Sequence, residues 1–283
     1  MDMLNEETKR KLRIMNMNPV IDIVDQQDSD VQTVALPFEQ RFQQIVDFLY
    51  QDKYDEKVQR LIKSAHLRFP KANVHDIYYS PKRRINRDVM NELATCRYIA
   101  ENRNIVLQGY TSSEKTYLGC ALGKEACRQH YRTRYIRLPD LLDEVKEKAT
   151  EVYGRNKLLK KFAAYDVLIL DEWLMADLKK DDVAFLFELS ERRFDRASTI
   201  FCTLYKKEEW VPRLGRGTFA ESIYERYAAH DSIIVDTGDK LTYESLLRMF
   251  SIFSVLPPPI SSGSRNSPLS TSRRNASTTS GAS

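Results

Sequence analysis

Residues 104–116 read NIVLQGYTSSEKT and decide the fold of the chain. The apolar run at 104–108 is typical of a buried strand, and a helical pattern begins at Tyr117, after the polar turn. Strand, turn and helix in this order frame a phosphate-binding loop, in which backbone N–H groups converge on phosphate oxygens. In such a loop Lys115 adds positive charge and the Thr116 hydroxyl binds Mg²⁺. The candidate nucleotide-binding residues are Gly109, Tyr110, Thr111, Ser112, Ser113, Glu114, Lys115 and Thr116.

One position of this loop departs from the phosphate-binding pattern. Glycine is expected where Glu114 stands, because the backbone there passes close to phosphate. A carboxylate adds bulk and a charge of the same sign as phosphate. An ordinary strand, turn and helix would explain the loop about as well when it is taken alone. If the loop does bind ATP, the sequence predicts that Glu114 weakens the binding.

A second motif, at residues 168–172, strengthens the interpretation. It reads LILDE, three apolar residues and then Asp171 and Glu172. In nucleotide hydrolases the first carboxylate holds Mg²⁺ and the second polarises the attacking water. A strand that ends in a solvated acidic turn is the alternative, but the two motifs together favour a nucleotide hydrolase. We therefore assign Asp171, with Thr116, to the metal and Glu172 to catalysis.

Two further residues are candidates for the hydrolytic reaction. Thr203 ends an apolar run, where a polar sensor of the γ-phosphate belongs, although threonine is also a good strand former. Arg226 precedes the last apolar run, from where an arginine finger could reach a nucleotide bound to a neighbouring subunit. An ordinary surface arginine is the alternative for Arg226.

Five short apolar runs, separated by helical patterns, predict the fold class. They lie at residues 104–108, 133–137, 166–170, 199–203 and 232–236. Strands joined by helical crossovers form a parallel sheet between two helical layers, so the expected class is α/β with five parallel strands. Helical spacing also begins at Phe38 and again at Val58, and a third helix is predicted from Asp88 to about Ala100.

The ends of the chain have a different composition. Residues 1–35 show no sustained period and are predicted to be flexible or only partly helical. Residues 241–283 form an atypical C-terminal segment, which from about residue 257 is rich in Ser and Pro and is expected to be disordered. Between these ends we predict a helical module at 36–100 that binds DNA or a partner, and an ATP-binding domain at 101–240.

Charge is distributed unevenly along the chain. Residues 1–56 hold twelve acidic and six basic side chains, whereas residues 57–88 hold nine basic and two acidic ones. Such a dense basic stretch neutralises phosphates without reading sequence, and a solvated helix face is the alternative. The candidate DNA-binding residues are Arg68, Lys71, Lys82, Arg83, Arg84 and Arg87.

Composition also excludes several classes of protein. The 42% of hydrophobic residues in 283 suffice for a core. The four cysteines have no paired short spacing, which argues against a disulfide framework or a metal knuckle. The polar N-terminus does not resemble a signal peptide, and no apolar run reaches the roughly 18 residues of a membrane span. We therefore expect a cytoplasmic protein with no membrane partner.

A resemblance to a known family extends over roughly residues 37–240. It is carried by LPFEQRF, HLRFPKANVHDIYY, RNIVLQG, KTYLGCALGKEACRQHYRTRYIRLPDLL, DVLILDEW, TIFCTLYKKEEW and RLGRGTFAESIYERYAAHDSIIVDTG. These stretches resemble the IstB-type transposition helpers, which are similar in turn to bacterial helicase loaders. The resemblance implies an AAA+ P-loop NTPase that binds ATP and Mg²⁺, self-assembles on duplex DNA in a nucleotide-dependent way, and cooperates with a cognate DDE-type transposase.

The resemblance also implies roles for individual residues. Lys115 and Thr116 match the phosphate and Mg²⁺ ligands, and Asp171 with Glu172 matches the acidic pair. Thr203 matches the sensor and Arg226 the arginine finger. Two other functions stay open at this point. A replicative helicase loader would share every nucleotide motif, and a remnant that no longer hydrolyses ATP would still bind DNA or partners.

Overall fold

Five strands form a single parallel sheet in the computed structural model, which describes residues 4–79, 84–110, 114–229 and 232–238. The spatial order is β2-β3-β4-β1-β5, and each neighbouring pair is parallel. The predicted α/β class is therefore confirmed. The strands are Ile105–Gln108 (β1), Thr133–Arg137 (β2), Val167–Trp173 (β3), Ser198–Thr203 (β4) and Ile233–Asp236 (β5).

Helices precede the sheet and cover both of its faces. Short 3-10 turns lie at Val74–Asp76 and Lys207–Glu209, and one π-helical turn at Glu225–Ala229. In the described part of the chain the α-helices are Glu6–Ile14 (α1), Asn18–Ser29 (α2), Val31–Val34 (α3), Phe38–Ala65 (α4), Arg87–Ala94 (α5), Arg97–Ala100 (α6), Glu114–Arg128 (α7), Leu138–Lys148 (α8), Gly154–Ala163 (α9), Lys180–Arg193 (α10), Trp210–Arg213 (α11) and Thr218–Tyr224 (α12).

The core lies on both sides of β1, β3 and β4, whose apolar residues are almost fully buried. On one face α7 approaches the sheet closely at Gly123, where an added Cβ would lie 2.5 Å from Ile169 Cδ1. On the other face Trp173 packs against Phe201 and Trp210, with ring centroids 4.7 and 5.4 Å away. Strands buried on both faces read as continuous apolar runs, which is why the sequence reveals them.

The N-terminal segment differs from its prediction. The sequence predicts a flexible or only partly helical stretch over residues 1–35, and the structure instead forms α1, α2 and α3 there. Ile21 and Val24 are buried where α2 packs on α4, and Gln27 Nε2 donates a 3.0 Å hydrogen bond to the Arg41 carbonyl. Three side chains of α2, one of α1 and none of α3 are buried, so the apolar pattern along this segment is a weak signal.

Two other helices also differ from their predictions. The two helical stretches predicted from Phe38 and Val58 join into one continuous helix, α4. The single helix predicted from Asp88 to Ala100 is divided into α5 and α6, because Cys96 adopts a left-handed φ of 57°. A left-handed residue interrupts the helical hydrogen-bond pattern, and apolar spacing does not report it.

All four cysteines are free and buried. Burial raises the pKa of each thiol, to about 12 for both Cys96 and Cys120. Within the described residues, no helix is both long and apolar enough to cross a membrane. The predicted C-terminal segment, residues 241–283, lies outside the described residues.

Candidate functional site

The carboxyl ends of β1, β3 and β4 meet at one edge of the sheet. Gln108 at the end of β1 is in register with Thr203 at the end of β4, and Trp173 at the end of β3 pairs with the same Thr203. In open parallel sheets, ligands bind at this edge, because the loops that follow the strands converge there. The sequence motifs after β1 and in β3 therefore belong to one location.

The first residue after β1 has to be glycine. Gly109 has a φ of 149°, and a Cβ there would lie 2.1 Å from Thr237 Oγ1. Thr237, which follows β5, is held in place by its backbone N–H, which donates to the Gln108 carbonyl at 2.8 Å. The chain after β5 is thus packed against the beginning of the phosphate-binding loop.

Lys115 lies in the first turn of α7 and points back into the loop. Its Nζ donates to the carbonyls of Gly109 and Tyr110 at 2.8 and 2.6 Å. Burial lowers the pKa of this lysine, and Asp171 is one of the groups that raise it. Both of these partners are neutral carbonyls, and the ammonium group can exchange them for phosphate oxygens, which attract it more strongly.

The Glu114 side chain is buried, with 2% of its surface exposed, so it does not turn towards solvent. It lies at the start of α7, directly before Lys115, and places a carboxyl group where the phosphate-binding pattern has none. Thr111, Ser112 and Ser113, the middle of the predicted loop, lie outside the described residues.

Thr116 and Asp171 come together under the loop. Thr116 Oγ1 donates a 2.9 Å hydrogen bond to Asp171 Oδ2, and the Glu172 backbone N–H donates to Asp171 Oδ1 at 2.9 Å. Among the described residues, no three His, Cys, Asp or Glu side chains cluster as metal ligands. Mg²⁺ needs no such cluster, because it takes one or two protein oxygens and completes its shell with phosphates and water. The two side chains fit that ion.

Glu172 is held by an arginine that the sequence analysis did not identify. Arg137, the last residue of β2, donates from Nε to Oε1 and from its terminal nitrogen to Oε2, each at 2.8 Å. The bond with Glu172 raises the pKa of Arg137. Glu172 itself adopts a left-handed φ of 56°, which is uncommon for a residue with a side chain. Both carboxylate oxygens of the predicted catalytic residue are therefore engaged.

Thr203, the predicted sensor, makes hydrogen bonds within the protein at the ends of β3 and β4. Its hydroxyl donates to the Trp173 carbonyl at 3.0 Å and accepts from the Tyr205 N–H at 3.1 Å. With 1% of its surface exposed, it ties the ends of β3 and β4 together. A sensor role would require this hydroxyl to exchange one of its partners.

Arg226 lies at the opposite edge of the sheet. The Asn104 side chain, just before β1, donates to the Arg226 carbonyl at 3.2 Å. The guanidinium donates to the Ser222 carbonyl at 2.9 Å, pairs with Glu191 and lies over the Phe187 ring. Asn104 and Gly109 are five residues apart in extended chain, about 16 Å at roughly 3.3 Å a residue, so the Arg226 carbonyl beside Asn104 is far from the loop. Arg226 is therefore not part of the site formed by its own loop.

A cavity of about 540 Å³ opens beside Gly109 and Tyr110. Arg84 and Asp236 line it and approach each other to 3.9 Å. Its volume is within the range of small-molecule sites, about 300 to 1,000 Å³. One residue of the predicted DNA-binding stretch, Arg84, thus borders the loop.

The other described residues of the basic stretch lie on the surface. Arg87 stacks on the Tyr79 ring at 4.8 Å, and Arg68 lies 5.9 Å from the centroid of Phe69. Lys71 is exposed. Lys82 and Arg83 lie outside the described residues.

Comparison with known proteins assigns the family. A family profile described as "IstB-like ATP binding protein" matches residues 8–244. The chain belongs to the IstB-like ATP-binding protein family. Over 199 residues it is 30% identical to an ATP-binding protein of insertion sequence IS1162 from Pseudomonas fluorescens, covering 70% of this chain and 85% of that protein. Over 180 residues it is 29% identical to the insertion sequence ATP-binding protein y4uH from Sinorhizobium fredii, covering 64% and 72%.

A solved structure shares the fold of this IstB-like protein. The replication initiator DnaA, bound to AMPPCP and single-stranded DNA, superposes with a TM-score of 0.51 and 18% sequence identity. The match covers 66% of this chain and 55% of the DnaA chain, so this chain spans about half the length of that protein. The predicted fold with five parallel strands is therefore shared with this solved structure.

Proposed function

We propose that this IstB-like protein is an ATP-dependent helper of DNA transposition that acts on duplex DNA with a cognate DDE-type transposase. The observation that carries the proposal is the hydrogen bond between Thr116 and Asp171, at 2.9 Å, directly under the loop into which Lys115 points. It joins a hydroxyl from the loop to a carboxylate from β3. These are the two protein oxygens that would bind the Mg²⁺ that accompanies a nucleotide. The two relatives described above are named as insertion sequence ATP-binding proteins, which supports the same role.

The chemistry of the site follows from its side chains. Lys115 would leave the carbonyls of Gly109 and Tyr110 and bind phosphate oxygens. Thr116 and Asp171 would hold Mg²⁺, which supplies positive charge against the phosphates. Glu172 would orient the attacking water once Arg137 releases one of its oxygens, because a carboxylate engaged at both oxygens by a guanidinium has less capacity to accept a proton.

Binding of DNA and self-assembly rest on other surfaces. The basic stretch supports a sequence-independent contact with the phosphate backbone, and Arg84 places one end of that contact beside the loop. Arg226, at the edge of the sheet opposite its own loop, supports assembly of subunits in which the arginine of one copy meets the nucleotide of the next.

A titration with a fluorescent ATP analogue tests the nucleotide site. The full chain should bind the analogue more tightly with Mg²⁺ than with EDTA, and Lys115→Ala should bind it poorly under both conditions. A folded wild-type chain that binds no analogue with Mg²⁺ at any accessible concentration would refute the nucleotide site.

The partner requires a separate experiment. In the presence of ATP and duplex DNA, the purified chain should retain a DDE-type transposase from a lysate of its own cells, and it should not retain the replicative helicase of those cells. The reverse result would identify a helicase loader instead.

A further inference from the structure

Tyr135 reaches the candidate metal site from a strand that carries no nucleotide motif. It lies in the middle of β2 with 7% of its surface exposed, and its hydroxyl donates a 2.7 Å hydrogen bond to Asp171 Oδ2. The same oxygen accepts from Thr116 Oγ1 at 2.9 Å. Two hydroxyls from different elements therefore converge on one carboxylate oxygen.

The two donors are not equivalent. Thr116 is itself a proposed Mg²⁺ ligand, so its hydroxyl has to serve both the ion and the carboxylate. Tyr135 has no such second task. Among the residues that the structure describes, loss of its hydroxyl would leave Oδ2 with Thr116, the group that also binds the ion, and Oδ1 with the Glu172 N–H.

The chemistry of the carboxylate fixes the direction of the Tyr135 hydrogen bond. An ionised carboxylate has only acceptors, so the phenol O–H is the donor in the 2.7 Å contact with Asp171 Oδ2. Arg68, in the exposed loop that follows α4, acts on the same hydroxyl, because it lowers the pKa of Tyr135 against the larger effect of burial.

We propose that Tyr135 is a positioning residue, which orients Asp171 so that Thr116 and Asp171 together receive Mg²⁺ with its nucleotide. The proposal rests on the proposed function, because it concerns the metal that accompanies ATP. Partners that orient metal ligands in this way typically change metal affinity by about 10- to 100-fold when they are removed.

Mg²⁺ titrations of Tyr135→Phe test the role. The concentration of a fluorescent ATP analogue is fixed, and its binding is followed as Mg²⁺ is added. For Tyr135→Phe the Mg²⁺ concentration at half-maximal effect should rise about 10- to 100-fold, whereas the affinity measured in EDTA should equal that of the wild type.

Tyr54→Phe is the matched control. The Tyr54 hydroxyl also makes a single hydrogen bond, of 2.8 Å to the Arg128 carbonyl, at a place remote from the loop. This variant should show the Mg²⁺ dependence of the wild type. Arg68→Ala, a change at an exposed position, should shift the Mg²⁺ dependence in the same direction as Tyr135→Phe and by less, and it provides the test if Tyr135→Phe does not fold.

Other results would overturn the proposal. An unchanged Mg²⁺ dependence in Tyr135→Phe would do so, and so would an equal loss of binding with Mg²⁺ and with EDTA, which indicates a general structural defect. In an Asp171→Asn background, Tyr135→Phe should cause no further shift, and an additional shift of the same size would show that Tyr135 does not act through Asp171. Absence of any nucleotide binding by the wild type would instead refute the proposed function.

Discussion

The Glu114 side chain is buried, and the residue directly precedes Lys115, the predicted phosphate ligand. At an effective dielectric of about 20, two unit charges roughly 5 Å apart repel by about 3 kcal/mol, which corresponds to about two powers of ten in affinity. Lys115 and Mg²⁺ offset part of this repulsion. We therefore expect Glu114→Gly to bind a fluorescent ATP analogue up to about 100-fold more tightly than the wild type.

Glu114→Gln separates charge from bulk in this prediction. If repulsion is the cause, the glutamine variant should recover most of the affinity, and if crowding is the cause, only glycine should. Adding Lys115→Ala should abolish either gain. Equal affinity of wild type, Gln and Gly forms would show that the loop tolerates the carboxyl group.

Arg137 is expected to restrain hydrolysis through Glu172. Since it engages both carboxylate oxygens, Arg137→Gln should free Glu172 and raise the rate of ATP hydrolysis without DNA, while the affinity for the nucleotide stays the same. A phosphate-release assay in the Glu114→Gly background measures this rate. Arg155→Gln, which breaks the comparable surface pair with Glu188, should change nothing. A slower reaction in Arg137→Gln would mean that the arginine assists hydrolysis.

Some residues of the candidate site can be predicted from the sequence and others cannot, for a physical reason. Lys115, Thr116 and Asp171 occur in motifs whose spacing along the chain reports their chemistry, and the structure brings them together. Tyr135 and Arg137 occur in no motif. They reach the site only because β2 runs parallel to β3 with Arg137 in register with Asp171, and that register is a property of the folded sheet.

The basic stretch at residues 57–88 leads to a prediction about the affinity for duplex DNA. Replacing Arg83, Arg84 and Arg87 with Ala should weaken binding to all duplex sequences alike, because phosphate contacts carry no sequence information. Each lost contact should also reduce the slope of log affinity against log salt concentration by about 0.9. Fluorescence anisotropy with labelled duplexes at several salt concentrations measures both effects.

The control for this prediction removes equal charge elsewhere. The exposed surface of α1 carries three cationic side chains, Arg10, Lys11 and Arg13. Their replacement with Ala changes the net charge by the same amount and should leave the salt dependence nearly unchanged. Equal loss in both triple variants would indicate an effect of total charge, and an unchanged affinity in the first would place the DNA surface elsewhere.

The elements themselves were predictable to different degrees. The five strands are found within a few residues of their predicted bounds, because each one contributes apolar residues to the core. β1, β3 and β4 are buried on both faces and read as continuous apolar runs, whereas β2 and β5 lie at the two edges of the sheet and are partly exposed. For the segment of α1 to α3 the sequence predicts only a flexible or partly helical stretch, because these helices contribute few buried side chains. The division between α5 and α6 depends on one backbone angle at Cys96, which no pattern of side chains records.

The position of Arg226 leads to a prediction about how copies of the chain cooperate. Its distance from its own loop means that Arg226→Ala should bind ATP normally and hydrolyse it poorly. Mixing Arg226→Ala with Lys115→Ala should restore part of the hydrolysis, since some junctions then combine an intact loop with an intact arginine. Hydrolysis is measured against the mixing ratio, and cross-linking verifies that mixed assemblies form. Mixed assemblies without recovered activity would exclude a shared site.

The rate at which the four buried thiols react with a labelling reagent reports local opening of the fold. With raised pKa values and no exposure, they should react with a thiol-labelling reagent only in molecules that have opened locally. Cys202 Sγ donates to the Lys115 carbonyl at 3.4 Å, whereas Cys96 lies near Glu125 and Cys127, at the opposite end of α7 from Lys115. Magnesium ATP should slow the labelling of Cys202 more than that of Cys96, so mass spectrometry of the modified peptides would map ligand occupancy without any engineered probe.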